Sequence, residues 1–170
     1  MANPTMTLIA SNTVGSGGAS SVTFSSIPQT GYTDLLIKTT TRGASGGVGY
    51  DNMSFNSSSS NFTIIQLQGN GAGAYSQTTT SGRGGTYDAS TDTTSTFSSN
   101  DIYISNYTSS NYKSYSVDAV NETNATTTYA TLIAGLWSNT AAITSISFST
   151  SGSVNYAQYS TFYLYGISNS

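Results

Sequence analysis

The feature that most constrains this chain is the spacing of its apolar residues, which alternate in short runs and never hold a helical period for three turns. Val22 and Phe24 alternate with Thr23 and Ser25, Ile102 and Ile104 with Tyr103 and Ser105, and Ile146 and Phe148 with Ser145 and Ser147. Successive side chains of an extended chain point to opposite faces, so each run describes a strand with one apolar face and one hydroxyl face. Serine and threonine solvate such a face, and threonine favours strand geometry. Turn-forming stretches cut the runs apart, at "VGSGGASS", "RGASGGVG", "GNGAGAYSQTTTSGRGG" and "STSGSVN". Strands are expected over 6–11, 21–27, 33–41, 52–56, 62–68, 101–107, 113–120, 129–137, 144–149 and 161–167. This spacing predicts an all-β fold, a jelly-roll-like β-sandwich of about eight to ten strands. Val22, Phe24, Leu35, Ile37, Ile102, Ile104, Ile146 and Phe148 stand at the apolar parity of their runs and are the expected core.

Two stretches break the alternation. "YATLIAGLW" and "STFYLYGI" carry apolar or aromatic residues at both parities, which places them centrally or against another subunit. Tyr163 and Tyr165 are expected on the face opposite Phe162 and Leu164, and that face is expected either to pack on another subunit, as in a homotrimer, or to lie under the long polar stretch 69–99. Trp137 reads as a core anchor or subunit contact, or else as a stacking platform.

At 170 residues the chain suits one domain, 1–170, with a sizeable core. Stretch 69–99 is mostly Gly, Ser, Thr and Asn, with Tyr75, Tyr87 and Phe97 as isolated aromatics, and is expected as a long loop over a surface, with room for a short strand and ordered against a neighbour, or as a mobile loop of no special role. Disorder of the whole is not expected, because 13 Tyr and 6 Phe accompany a charged fraction of only 6%. The same low charge, with a net of -3, leaves no basic stripe for a nucleic acid. Cysteine is absent, so disulfides and thiolate metal sites are excluded. No apolar run reaches membrane-spanning length, and "MANPTMTLIAS" lacks the basic and apolar regions of a signal peptide; cytoplasmic synthesis without membrane insertion is expected. Sequons at Asn52, Asn56, Asn61, Asn106, Asn121 and Asn124 then read as chance matches in an Asn-, Ser- and Thr-rich chain.

Motifs for chemistry are weak. "GASGG" places Ser45 in the spacing of a nucleophile elbow, but the chain has no histidine to activate it and no strand-to-helix context. "GNGAGA" lacks the spacing of a phosphate loop. Nothing selects an acid pair among Asp34, Asp51, Asp88, Asp92, Asp101, Asp118 and Glu122, and Asp88 with Asp92 lack a calcium-loop pattern. No catalytic residue, metal or cofactor is expected. Tyr103, Tyr107, Tyr112 and Tyr115, interleaved with Asn and Ser in "DIYISNYTSSNYKSYSVD", are the residue mixture of adaptable interfaces and of sugar-stacking sites, and form the candidate partner or glycan surface.

Through "TLIASNTVGSGGASSVTFSSIPQTGYTDLLIK", "NYTSSNYKSYSVDAVNE", "LIAGLWSNTAAITSISFS" and "STFYLYGI", the chain resembles small β-rich structural proteins of tailed bacteriophage particles, of the type found in phages of cyanobacteria. The resemblance implies a location on the virion exterior rather than a chemistry. The expected function is a non-enzymatic capsid decoration or cement protein, forming a homo-oligomer and contacting the major capsid protein or tail components. The alternative is a tail-fibre or adhesin-like module that binds a host-surface glycan.

Overall fold

The computed structural model describes residues 5–123 and 127–168; the sequon at Asn124 lies outside them. Twelve strands are present: β1 (Met6–Thr13), β2 (Ser21–Phe24), β3 (Asp34–Thr40), β4 (Gly49–Phe55), β5 (Phe62–Gly69), β6 (Ala74–Thr79), β7 (Arg83–Tyr87), β8 (Ser99–Ile104), β9 (Lys113–Thr123), β10 (Thr127–Trp137), β11 (Ile146–Thr150) and β12 (Thr161–Ile167). No helix occurs among the described residues. The strands form two antiparallel sheets, one of eight in the order β1-β12-β3-β8-β9-β10-β5-β6 and one of four in the order β2-β11-β4-β7. The result is a β-sandwich.

Each of the expected strands is present, with ends shifted by a few residues. The two beyond them, β6 and β7, both lie in the stretch 69–99 expected as a loop. Their invisibility has a physical cause. Strand β7 reads Arg-Gly-Gly-Thr-Tyr, and its glycines are there because the neighbouring side chains leave no room. A Cβ on Gly84 would stand 2.7 Å from the Phe148 ring, and one on Gly85, at a φ of +128°, would stand 2.3 Å from Asn100 Oδ1. Backbone fills the space that an alternating side chain would announce. Strand β6 is an edge strand of polar residues, paired with β5 from Ile64↔Thr79 to Gly69↔Ala74.

The inward faces of the two sheets make the core. Val22 and Phe24 of β2, Met53 and Phe55 of β4, and Ile146 and Phe148 of β11 meet Leu35, Ile37, Ile102, Ile104, Phe162 and Leu164 of the large sheet, all buried. All eight residues expected at the apolar parity are among them. Rings concentrate at one end, where Phe55 stands edge-on to Trp137 at 5.3 Å and to Tyr115 at 5.9 Å between centroids, with Phe62 beside all three. Such pairs add about 0.5–1.5 kcal/mol each beyond area burial.

Two buried cations hold the loops, and both bond backbone carbonyls. Lys113 Nζ, its side chain buried, donates to the carbonyls of Ser109 at 2.6 Å, Asn111 at 2.8 Å and Ala141 at 2.7 Å. Arg42 does the same for the loop that follows β7. Its Nη1 donates to the carbonyls of Thr93 (3.0 Å) and Thr96 (2.9 Å), and its Nη2 to those of Ser90 (3.1 Å) and Asp92 (3.0 Å). A guanidinium fork gathers four carbonyls of one loop, which helps order a sequence rich in Ser, Thr and Asp there. Arg42→Met should therefore destabilise the fold by about 3 kcal/mol and open residues 88–98 to limited proteolysis, with cleavage mapped by mass spectrometry; an unchanged cleavage pattern would contradict this role.

Candidate functional site

The register of the large sheet lays out its outer face row by row. Leu8 opposes Tyr165, Tyr165 opposes Leu36, Leu36 opposes Tyr103, Tyr103 opposes Ser116, Ser116 opposes Ala134, and Ala134 opposes Ile65. Residues that oppose one another share a face, so a largely apolar row crosses seven of the eight strands, spanning about 29 Å at the usual strand spacing. The next row adds Leu132 opposite Leu67. Ile65, Leu67 and Leu132 are 57%, 50% and 55% exposed. Together with Ala134, Ser116 and Asp118 they line an open groove of about 340 Å³.

Charge on this face is sparse. Lys38 pairs with Asp101 at 2.6 Å across β3 and β8, and Asp118 of β9 directly opposes Asp101. Most of the sheet's outward side chains other than these are neutral.

Tyr163 and Tyr165 stand on this outer face, opposite the buried Phe162 and Leu164, as expected; they are half-buried and stack on each other at 6.5 Å between centroids. Strands β6 and β7 of the stretch 69–99 do not cover them, because β6 is the far edge of the same sheet and β7 belongs to the other.

Three candidates are corrected. Trp137 is fully buried among Phe55 and Phe62 and is a core anchor, not a subunit contact. Tyr107 is fully buried, its hydroxyl donating to the Pro28 carbonyl. Tyr115 is buried, its ring lying on Gly135, where a Cβ would come within 2.2 Å, and its hydroxyl accepting from Arg83 N at 3.3 Å. Both tyrosines fall at inward positions, so the expected four-tyrosine surface does not exist. Only Tyr103 and Tyr112 of that group are exposed, and Tyr103 OH donates to Asp34 Oδ2 at 2.6 Å. That hydrogen bond, ahead of burial, holds the Tyr103 hydroxyl above its ordinary range.

A second concave feature went unnoticed in the sequence because it draws on six strands. Tyr50, Tyr75, Tyr129, Gln68, Asn121 and Thr86, with Val48 and Gly49, line a cleft of about 140 Å³. Tyr50 OH accepts from Gln66 Nε2 at 3.0 Å and from Gln77 Nε2 at 2.9 Å, while Arg83 lies over its ring at 4.0 Å. Tyr75 OH donates to Gln68 Oε1. The one available signal was polar residues at inward parity: Gln66 and Gln68 continue the inward series begun by Phe62 and Ile64, and all four are buried.

The sequence motifs resolve into turns. Ser45 sits in an exposed bend that no helix follows. The Gly-rich run at 69–74 is the β5–β6 turn, in which Asn70 Oδ1 accepts from Ala72 N and Gly73 N at 3.1 and 3.0 Å. Among the described residues no group of three or more acidic side chains is placed to hold a metal ion.

The most perturbed carboxyl lies in the core. Asp51 is fully buried with no cation beside it; Thr41 Oγ1 donates to its Oδ2 at 2.8 Å and Tyr156 OH to its Oδ1 at 3.0 Å. Burial outweighs these two donors and pushes the carboxyl up to about 7. Asp88, also desolvated, is pushed up to about 6. Both hold their protons longer in the folded chain than in the unfolded one, where carboxyls ionise near pH 4. Their contribution to stability is therefore complete below about pH 4 and is lost as pH rises through about 6 and 7. Urea unfolding should show stability falling between about pH 4.5 and 8, by on the order of 4 kcal/mol for Asp51. Asp51→Asn should flatten most of that fall; parallel profiles for the two proteins would refute the assignment.

Comparison of the chain with protein-family models, with curated proteins and with solved structures finds no match.

Proposed function

We propose that this chain is a non-enzymatic structural protein of the exterior of a bacteriophage particle, a capsid decoration protein that assembles with copies of itself through the outer face of its large sheet. The carrying observation is the row from Leu8 to Ile65, with Leu8, Tyr103 and Ile65 exposed and Tyr165 and Leu36 half-buried, together with its groove at Leu67 and Leu132, on a chain whose remaining surface is mostly hydroxyl and amide. Contiguous apolar surface of this kind marks association sites in soluble proteins. Tyr163 and Tyr165 belong to the same face, and with Trp137 in the core they are the part of the sequence-derived contact that remains.

The strand order supports a jelly-roll reading of the fold. Without the hairpins β5–β6 and β9–β10, the sheets reduce to β1-β12-β3-β8 and β2-β11-β4-β7, with the chain changing sheet at each step from β1 to β4. Jelly rolls recur in viral capsid and lectin domains, an analogy of fold and not of site. The sequence resemblance to virion proteins favours the first of these, with the major capsid protein or tail components as the further partners. A homotrimer is the assembly put to the test.

Light scattering at micromolar concentration should give a mass of more than one chain, three for a trimer. Leu132→Lys combined with Tyr165→Ser should return it to a single chain that keeps its β-sheet circular dichroism, with a melting temperature no longer dependent on concentration. Cross-linking and immunogold labelling on intact particles extend the measurement to contacts made only there. A chain that is single in solution, uncross-linked on particles and unlabelled at their surface would remove the proposal.

A further inference from the structure

The cleft at Tyr50, Tyr75 and Tyr129 lies on the inward side of the large sheet, away from the face assigned to assembly. Its position follows from the unequal sheets. Strands β5, β9 and β10 run inward side chains that are apolar at one end, at Phe62 and Ile64, Tyr115 and Val117, Trp137 and Ile133, and polar at the other. The polar ends are Gln66 and Gln68, Asn121, and Thr131, each buried. Burying amides and hydroxyls costs free energy unless they are hydrogen-bonded, and a chain selected for packing alone would continue the aliphatic series.

The network is built but incomplete. Tyr50 OH accepts from both amides and is also hydrogen-bonded to the Tyr75 hydroxyl, so it braces the wall. Thr86 Oγ1 and Asn121 Oδ1, on the cleft wall, are buried without a protein partner, as are Gln66 Oε1 and Thr131 Oγ1 just behind it. Four orphaned oxygens in one place form a concentrated demand for hydroxyl donors. Around them stand three tyrosine rings, one of them braced by Arg83 stacked at 4.0 Å. The lining side chains carry no formal charge.

We propose that this cleft binds one neutral sugar residue, with the tyrosine rings taking its C–H face and Gln68, Asn121 and Thr86 taking its hydroxyls. A sugar hydroxyl both donates and accepts, which matches a wall that combines amide groups with unpaired oxygens. Tyrosine supplies apolar area and a polar tip together. The volume, about 140 Å³, is below the ~300 Å³ at which pockets for drug-sized ligands begin, so the ligand is a single ring with the rest of any glycan in solvent. An acidic sugar is disfavoured because no cation lines the wall to meet it. The site shares no residue with the assembly face, so the two proposals fail independently.

The test is a glycan array of neutral and acidic oligosaccharides read with the labelled full chain, followed by saturation-transfer NMR with the methyl glycoside of the terminal residue of the strongest neutral hit. Neutral glycans should bind, and Gln68→Leu and Tyr129→Ser should each weaken binding at least about tenfold, one lost hydrogen bond or stacking contact. Tyr112→Ser, exposed but outside the cleft, should bind as the parent does. Tyr75→Ser, on the exposed edge strand, gives the same reading if Gln68→Leu does not fold, with melting temperature as the check. An array without neutral binders, binding confined to acidic glycans, or binding that survives Tyr129→Ser and Tyr75→Ser in folded protein would overturn the proposal.

Discussion

An eight-stranded sheet packed on a four-stranded one is the constraint from which the rest of this structure follows. The small sheet can cover only part of the large one, and the hairpins β5–β6 and β9–β10 extend the large sheet beyond β8. The extension has to resolve its two faces separately. Inside, the aromatic cluster of Phe55, Phe62, Tyr115 and Trp137 closes one end of the overhang, and a tyrosine and amide cleft occupies the other. Outside, the same strands present Ile65, Leu67 and Leu132 to solvent. Both candidate sites are therefore consequences of strand number before they are consequences of any particular residue.

Charge plays an unusual part in holding this arrangement together. The chain has four cationic residues, and Arg42 and Lys113 are spent on backbone carbonyls within the protein. A cation that satisfies several carbonyls at once helps order a loop made mostly of polar residues. Asp51 is the converse, a carboxyl inside the core with hydroxyl donors and no cation. Ionising it is opposed by burial, so at neutral pH the core carries a group close to its titration point. The surface is left nearly neutral, and what distinguishes one patch from another is the balance of apolar and hydroxyl side chains.

Legibility in the sequence followed side-chain alternation. Strands such as β2, β8 and β11, whose inward residues are Val22 and Phe24, Ile102 and Ile104, or Ile146 and Phe148, could be read directly with their faces assigned. Strand β12 could be read as two-faced, and the outward placing of Tyr163 and Tyr165 follows from parity alone. Strand β7 could not be read, because a strand made of glycines packed under Phe148 and Asn100 has no side-chain pattern to show. The tyrosines at 107 and 115 misled for a related reason. Interleaving with Asn and Ser suggested a surface, yet Tyr115 takes the same parity as Val117 and Ala119 and turns inward with them.

What the sequence determined by itself is the class of fold and the identity of the core, since a period of two with apolar residues at one parity permits a strand with one buried face and little else. The tertiary structure decided which strands neighbour one another. Strand order brought Leu8 from one end of the chain into line with Ile65 through Tyr165, Leu36, Tyr103 and Ala134, and it brought Tyr50, Gln68, Tyr75, Thr86, Asn121 and Tyr129 around a single cleft. Pairing between strands distant in sequence is set by how two whole sheets pack, so no local stretch of the chain contains it.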